Sequence, residues 1–210
     1  MLLALAGGGA VLFVFYYYGR DLPDYRQLAD YDPATVTRVH AGDGRLLAEY
    51  ATEKRVYVPI EAMPRRVINA FLSAEDKNFY SHPGVDFIGV ARAIVTNLAN
   101  MGSSRRPVGA STITQQVAKN FLLTNEVSID RKIKEAILAF RIEHAFDKDR
   151  ILDLYLNEIY LGFGSYGVVA ASLNYFNKSL DELSIAEAAY LAALPKAPNN
   201  YHPIKRYEAA

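Results

Sequence analysis

The chain has 210 residues, 23 Lys and Arg against 23 Asp and Glu, 51% hydrophobic content, and neither Cys nor Trp. Its apolar content, with 15 Tyr and 10 Phe, excludes a disordered tail; the missing Cys excludes a disulfide framework, a thiol nucleophile and a Cys-based zinc site; the balanced charge argues against a dedicated nucleic-acid binder. The length suits one domain with a small appendage and can bury a real core, yet residues 1–19 carry no charged side chain at all.

Leu2 to Tyr18 reads LLALAGGGAVLFVFYYY, close to the shortest apolar run that spans a bilayer as a helix. Tyr16, Tyr17 and Tyr18 close it as interfacial rings do, and Gly7 to Gly9 are tolerated in spanning helices. A cleaved signal peptide would show a basic n-region and a small-residue cleavage site, and neither is visible. We expect an uncleaved anchor; flanking charge does not give its orientation, and Arg20, on the far side, argues weakly against placing the rest of the chain outside the cytoplasm. Gly19 to Pro33 reads as a polar linker, and Thr35 to Ile60 as a small β element with a hairpin turn at Gly42-Asp43-Gly44.

From Met63 the pattern is helical. Phe87, Val90, Ala91, Ile94, Val95 and Leu98 mark one helix face. Asn100 to Gly109 is a loop. Helices are expected over Thr112–Leu122, Asp130–Phe146, Asp149–Tyr160 and Tyr166–Phe176, and a last one opens at the capping box Ser184-Ile-Ala-Glu187 and runs through Leu194. The globular part is thus mainly α with a β-containing neck.

Four stretches carry polar groups that a plain core would not need. Glu75 and Asp76 end an apolar helical run, before Phe79, His82 and a turn at Pro83-Gly84. A carboxylate shielded there suits proton transfer, but a solvated helix end reads the same way. Ser111, Thr112, Thr114, Gln115 and Gln116 crowd a helix start, with Lys119 and Asn120 following. Ser111 could cap that helix, while Thr112, Gln116 and Lys119 share one face that could bind a sugar or phosphate. Arg131, Lys132, Lys134 and Glu135 suit a diphosphate leaving group or an ordinary surface ion-pair ladder. In the fourth, Ile151 to Gly162, Tyr155 belongs to the buried stripe and Asn157, costly inside a helix, points to a specific hydrogen bond.

Taken in order, these stretches resemble the peptidoglycan glycosyltransferase domain (glycosyltransferase family 51) of class A penicillin-binding proteins. Glu75 to Gly84 matches E-D-x-x-F-x-x-H-x-G, Gly109 to Gln116 matches G-x-S-T-[IL]-T-Q-Q, and Arg131-Lys132-x-x-Glu135 matches the third motif. Ile151 to Asn157 with Tyr160 and Gly162 matches the fourth; Ala170-Ala171, Tyr175-Phe176, Lys178, Glu187-Ala188 and Leu191-Ala192 match the fifth. Asn177 departs from the family's Gly, but Asn tolerates a left-handed backbone. The neck from Thr37 to Glu49 resembles the penicillin-binding protein 1A type, in which a transpeptidase domain follows; no Ser-x-x-Lys motif occurs here, so the chain reads as a fragment or a monofunctional relative.

The resemblance implies a lysozyme-like glycosyltransferase fold that is mainly helical. The anchor would span 1–19, the linker and β neck 20–62, the catalytic domain 63–200, and the start of a connection to a transpeptidase region 201–210. It implies polymerisation of lipid II into β-1,4-linked strands by an inverting reaction, with Glu75 as general base and Glu135 as second catalytic carboxylate. Asp76, Phe79, His82, Ser111, Thr112, Gln115, Gln116, Lys119, Asn120, Arg131, Lys132, Tyr155 and Asn157 would bind substrate or shape the site. A divalent cation such as Mg2+ could share the diphosphate's charge, with no organic cofactor. The implied partners are lipid II, the growing strand, the membrane, cell-wall synthesis proteins and no nucleic acid. The location is the extracytoplasmic face of a bacterial inner membrane. A lysozyme-like muramidase or lytic transglycosylase and a non-catalytic scaffold are the competing readings.

Overall fold

The computed structural model describes residues 9, 13–31, 37–43, 45–50, 54–102, 108–124, 126, 128–196 and 198. Most of the apolar run Leu2 to Tyr18, the loop residues 103–107 and the segment 201–210 lie outside the described residues. Among the described residues no helix is long and apolar enough to cross a membrane. Among the described residues the fold is mainly helical, as the periodicity predicts, with four short strands: β1 (Thr37–His40), β2 (Leu46–Tyr50), β3 (Lys54–Arg55) and β4 (Ser165–Tyr166). β1 and β2 form the expected antiparallel hairpin, with a register irregularity between Val39 and His40; β3 and β4 pair in parallel.

Two compact units divide the chain, one built from Met1–Asp30 and Asn78–Ile151, the other from Tyr31–Lys77 and Leu152–Ala210. The first contains the helical segment α1 (residues 13–19), α3 (Phe87–Ala99), α4 (Ile113–Leu122), α5 (Ile129–Ala145) and the start of α6 (Lys148–Glu158). Helix α4 packs on α5, and a 3-10 turn at Tyr25–Leu28 packs on both. Ile113, Val117, Ala118 and Leu122 on α4 face inward with Leu138 and Ile142 of α5 and Leu28. These positions recur at four and five residues, so each helix buries one stripe. Each fully buried Leu or Ile contributes about 1.5–3 kcal/mol. Tyr18 donates to Asp130 (3.0 Å) and Arg141 to the Gly19 carbonyl (3.1 Å), which ties the end of α1 to α5.

Helix α3 departs from this pattern. The apolar face read from its spacing exists but points outward: Phe87, Ile94, Val95 and Leu98 are all more than half exposed, and only Ala93 is buried. Among the apolar residues near the first motif, Phe71 and Phe79 are core, whereas Phe87 and Ile88 are exposed.

In the second unit α2 (Arg65–Glu75) packs against α8 (Ile185–Ala193), and α7 (Val168–Phe176) packs on β3 and β4. Val67, Ile68 and Phe71 of α2 are fully buried, as are Leu152, Tyr155 and Leu156 of α6 and Leu191 of α8. Arg55 pairs with Glu158 and Tyr31 and lies over the Tyr166 ring at 5.4 Å. Asn177 ends α7 in the left-handed conformation (φ 54°, ψ 41°), which replaces the Gly of the resembling family. The capping box at Ser184 forms as predicted, and the proline at 195 tightens the chain into a 3-10 turn over Leu194–Lys196 instead of prolonging α8.

Two predictions follow from these contacts. Gly167 has φ +79°, and a Cβ there would lie 2.6 Å from the Asn157 carbonyl oxygen. Gly167→Ala should therefore cost at least about 2 kcal/mol, read as a lower urea midpoint. The Glu187 carboxyl is held down at about 2 by the hydrogen bond from Lys178, with the Ser184 amide and hydroxyl adding to it. A depressed carboxyl stabilises the fold above the ordinary carboxylate range and loses that contribution as pH falls toward 2. Thermal melts of Glu187→Gln should therefore run below the wild type at pH 7 and converge with it near pH 2.

Candidate active site

Helix α2 delivers Glu75 at its last position and Asp76 at its C-cap. Glu75 is half-buried and Asp76 is buried. Within the same unit the Tyr155 ring meets Phe71 edge to face, with centroids 6.3 Å apart. Tyr155 is 1% exposed, and its hydroxyl has no hydrogen-bond partner among the described residues. Burial pushes this phenol well above its usual range, and the nearby Glu75 and Asp76 charges push it further. An unspent donor beside two carboxylates is costly for stability alone.

Asn157 does make the specific bonds that its place in a helix suggested. Its amide nitrogen donates to the carbonyls of Val58 (3.0 Å) and Asp153 (2.9 Å), and its oxygen accepts from the Val58 amide (3.0 Å). Tyr57 donates to the Asp153 carboxylate at 3.0 Å. Asn157 therefore braces the segment after β3 against α6, next to Tyr155.

In the first unit the loop before α3 is held from beneath. Phe79 is buried, and the Lys148 ammonium stands 4.4 Å above its ring. Lys148 also donates to the His82 carbonyl (2.8 Å) and to Glu143 (2.7 Å), which accepts in turn from Thr114 (2.5 Å). The His82 Nδ1 accepts from the Gly84 amide at 3.1 Å. Gly84 has φ +98°, and a Cβ there would meet the Ala139 carbonyl at 2.8 Å, so only glycine fits. Thr112 donates to the Gly84 carbonyl at 2.6 Å and so joins this loop to the start of α4.

Thr112, not Ser111, is the N-cap of α4: its hydroxyl accepts from the Gln115 amide, and the Gln115 side chain accepts from the Thr112 amide. Gln115 is thereby committed to the cap and buried. Ser111 is left for a different partner, the Lys132 ammonium at 2.8 Å. Lys132 also pairs with Glu135, and Arg131 pairs with the same carboxylate at 2.8 Å. Gln116 and Lys119 are half-buried and Asn120 is exposed on the same helix.

The surface-ladder reading of this cluster fails, because Glu135 is only 2% exposed. The i, i+3 and i, i+4 spacing brings both cations onto one buried carboxylate; Lys134 is not part of it. Two cations on one carboxylate leave a net positive charge, suited to an anion. Among the described residues no three His, Cys, Asp or Glu side chains lie close enough together to hold a metal ion.

Sequence reasoning assigned no role to Lys148, Thr114, Tyr57, Asp153 or Glu143. Only the long-range bonds reveal them, since these partners lie 29 to 96 residues apart except for Lys148 and Glu143. The Glu143 side chain is 7% exposed and that of Lys148 20%. Lys148→Met should cost about 3 kcal/mol by leaving Glu143 with Thr114 alone. Adding Glu143→Gln should recover part of that loss, as measured by chemical denaturation.

Residues 43–210 match the family model described as Transglycosylase. The chain is 58% identical over 205 residues to penicillin-binding protein 1A of Rickettsia felis, covering 98% of this chain and 26% of that protein. It is 48% identical over 202 residues to penicillin-binding protein 1A of Aquifex aeolicus, covering 96% and 27%. The crystal structure of penicillin-binding protein 1A from Haemophilus influenzae superposes with a TM-score of 0.42 at 25% identity, over 85% of this chain and 17% of that one. The chain thus spans about a quarter of the length of the curated relatives it matches. With four-fifths of its residues inside the family model and relatives of this similarity along nearly its whole length, the chain belongs to the transglycosylase family of peptidoglycan glycosyltransferase enzymes.

Proposed function

We propose that this domain polymerises lipid II into β-1,4-linked glycan strands and releases polyprenyl diphosphate from the growing strand. The observation that carries the reading is the buried Glu135 with Arg131 and Lys132 upon it. A carboxylate that accepts two cations is an anchor: it holds both of them in place for a diphosphate's developing charge. Such preorganised charge acts without reorganisation during the reaction. Lys119 adds a further ammonium from α4.

Glu75 acts as the general base. It takes the proton of the acceptor sugar's 4-hydroxyl; that oxygen then attacks the donor's anomeric carbon from the face opposite the diphosphate, inverting the centre. Its half-buried place at the end of α2, beside apolar Phe71 and Tyr155, supports this role. Asp76, Tyr155 and Asn157 shape the surroundings of Glu75, while Phe79, His82, Ser111, Thr112, Gln115, Gln116 and Asn120 shape or contact the substrate side of the first unit. The fold is of the lysozyme-like glycosyltransferase kind. The charge-free residues 1–19 anchor it, single-pass, in a bacterial inner membrane with the catalytic residues outside the cytoplasm. A transpeptidase region follows in the whole protein, which works in cell-wall biogenesis and cell shape.

Incubation with labelled lipid II should yield polymer with the wild-type chain. Glu75→Gln should lower the rate by about a hundredfold or more while leaving the thermal melt unchanged. Lys119→Ala should reduce donor use more than stability. Clearing of purified cell walls without polymer would instead establish a lytic enzyme, and unchanged rates in Glu75→Gln would remove Glu75 as the base.

A further inference from the structure

The Tyr155 hydroxyl is a buried donor that finds no partner among the described residues. The polar groups two residues to either side of it on α6 are committed. Asp153 accepts from Tyr57 (3.0 Å) and Asn157 (3.2 Å), and Asn157 bonds the Val58 backbone. The Tyr155 ring meets Phe71 of α2 edge to face. Phe71 and Glu75 are four residues apart and share one face of α2, whereas Asp76 leaves the helix as its C-cap. The ring therefore meets α2 on the face that carries Glu75. Burial raises the phenol's pKa well above the ordinary range, and Glu75 and then Asp76 add to it, so the oxygen carries a proton at any working pH.

We infer that Tyr155 is a positioning residue: once substrate is loaded, its hydroxyl donates a hydrogen bond to the Glu75 carboxylate and fixes that carboxylate's orientation and basicity. The inference rests on the glycosyltransferase reading above and gives its proposed base a partner. No proton leaves the phenol; Glu75 still takes one from the acceptor hydroxyl. Hydrogen bonds of this kind are often open in an unloaded site and close around substrate. A carboxylate that must stay ionised beside Asp76 and an aromatic wall is helped by a neutral donor, because like charge and apolar neighbours both favour its protonated form. Other titratable groups on the packed elements include Asp153, tied to Tyr57 and Asn157, and Glu158, paired with Arg55. On α8, which packs against α2, Glu187 pairs with Lys178, and Tyr190 lies against the Tyr175 and Phe176 rings. Lys77 is exposed beyond the end of α2. A phenol kept for packing alone would serve as well as Phe, without the cost of an unpaired donor.

Tyr155→Phe is the test, since the ring and its packing remain. The variant should melt at or above the wild type, having lost an unpaired buried donor. In polymer synthesis from labelled lipid II its kcat should fall by roughly tenfold or more with KM within about twofold, because a bond to a charged group is lost only after loading. The acidic limb of kcat should move to higher pH, because removing a donor to the ionised form raises that carboxyl's pKa. With Glu75→Gln inactive, a wild-type kcat in Tyr155→Phe, or a lower kcat on an unmoved limb, overturns the inference. So does a marked fall in the melt, which would mean that the hydroxyl is already bonded in the resting fold. Carbon-13 carboxyl NMR of glutamate-labelled chain reads the contact without turnover. It is run on the chain alone and with a lipid-linked disaccharide lacking the 4-hydroxyl, the Glu75 signal being assigned from Glu75→Gln. The Glu75 midpoint should rise in Tyr155→Phe in the loaded sample. An unmoved midpoint with Glu75→Gln inactive leaves the general-base reading standing and removes Tyr155 from it. A raised midpoint with Glu75→Gln fully active keeps the contact and removes the base.

Discussion

Taking a carboxylate out of water is unfavourable unless charges and donors replace the solvent it loses. Glu135 is buried to 2% and meets that condition with Arg131 and Lys132, both drawn from its own helix within little more than one turn. Much in the first unit is arranged around this cluster. Lys132 extends it to Ser111, which is available because Thr112 caps α4. Thr112 reaches on to Gly84, so the cation cluster, the start of α4 and the His82 loop are linked by consecutive hydrogen bonds. A second buried carboxylate on α5, Glu143, repeats the logic two turns later with Lys148 and Thr114. The helix thus carries two paired carboxylates, one holding two cations and one fastening a loop.

The second unit handles its polar groups differently. Asp153 and Asn157 are nearly fully buried and bond to Tyr57 and Val58, so the backbone after β3 is held by side chains of α6. Between them on the helix, Tyr155 keeps a hydroxyl with no partner among the described residues, near Glu75 and Asp76. A buried donor without a partner among the described residues costs stability. Gly167, close against the Asn157 carbonyl, keeps the end of α6 compact around this arrangement.

Apolar surface is unevenly distributed. Helices α4, α5 and α6 bury their stripes, whereas α3 keeps Phe87, Ile94, Val95 and Leu98 outside. An exposed stripe of that kind is unfavourable in water and offers a surface for apolar contact. Phe87 and Phe140 also line a groove of the same apolar character.

Much of this was legible in the residue order. Helix positions followed from apolar spacing, the α8 cap from Ser184 and Glu187, the hairpin from Gly42-Asp43-Gly44, and the αL turn from Asn177, because each is set by neighbours a few residues apart. The pairing of Glu135 with cations three and four residues earlier is equally local. Whether that pairing lay on the surface or in the interior was not, since burial depends on α4 covering α5. The same reason hid the roles of Lys148 and Asp153, whose partners are distant in sequence, and left the direction of the α3 face undecided. Sequence by itself determined the helices, the α8 cap and the motif that names the family; only the tertiary structure decided which polar groups are buried and which apolar face stays bare, because both depend on what other segments bring against them.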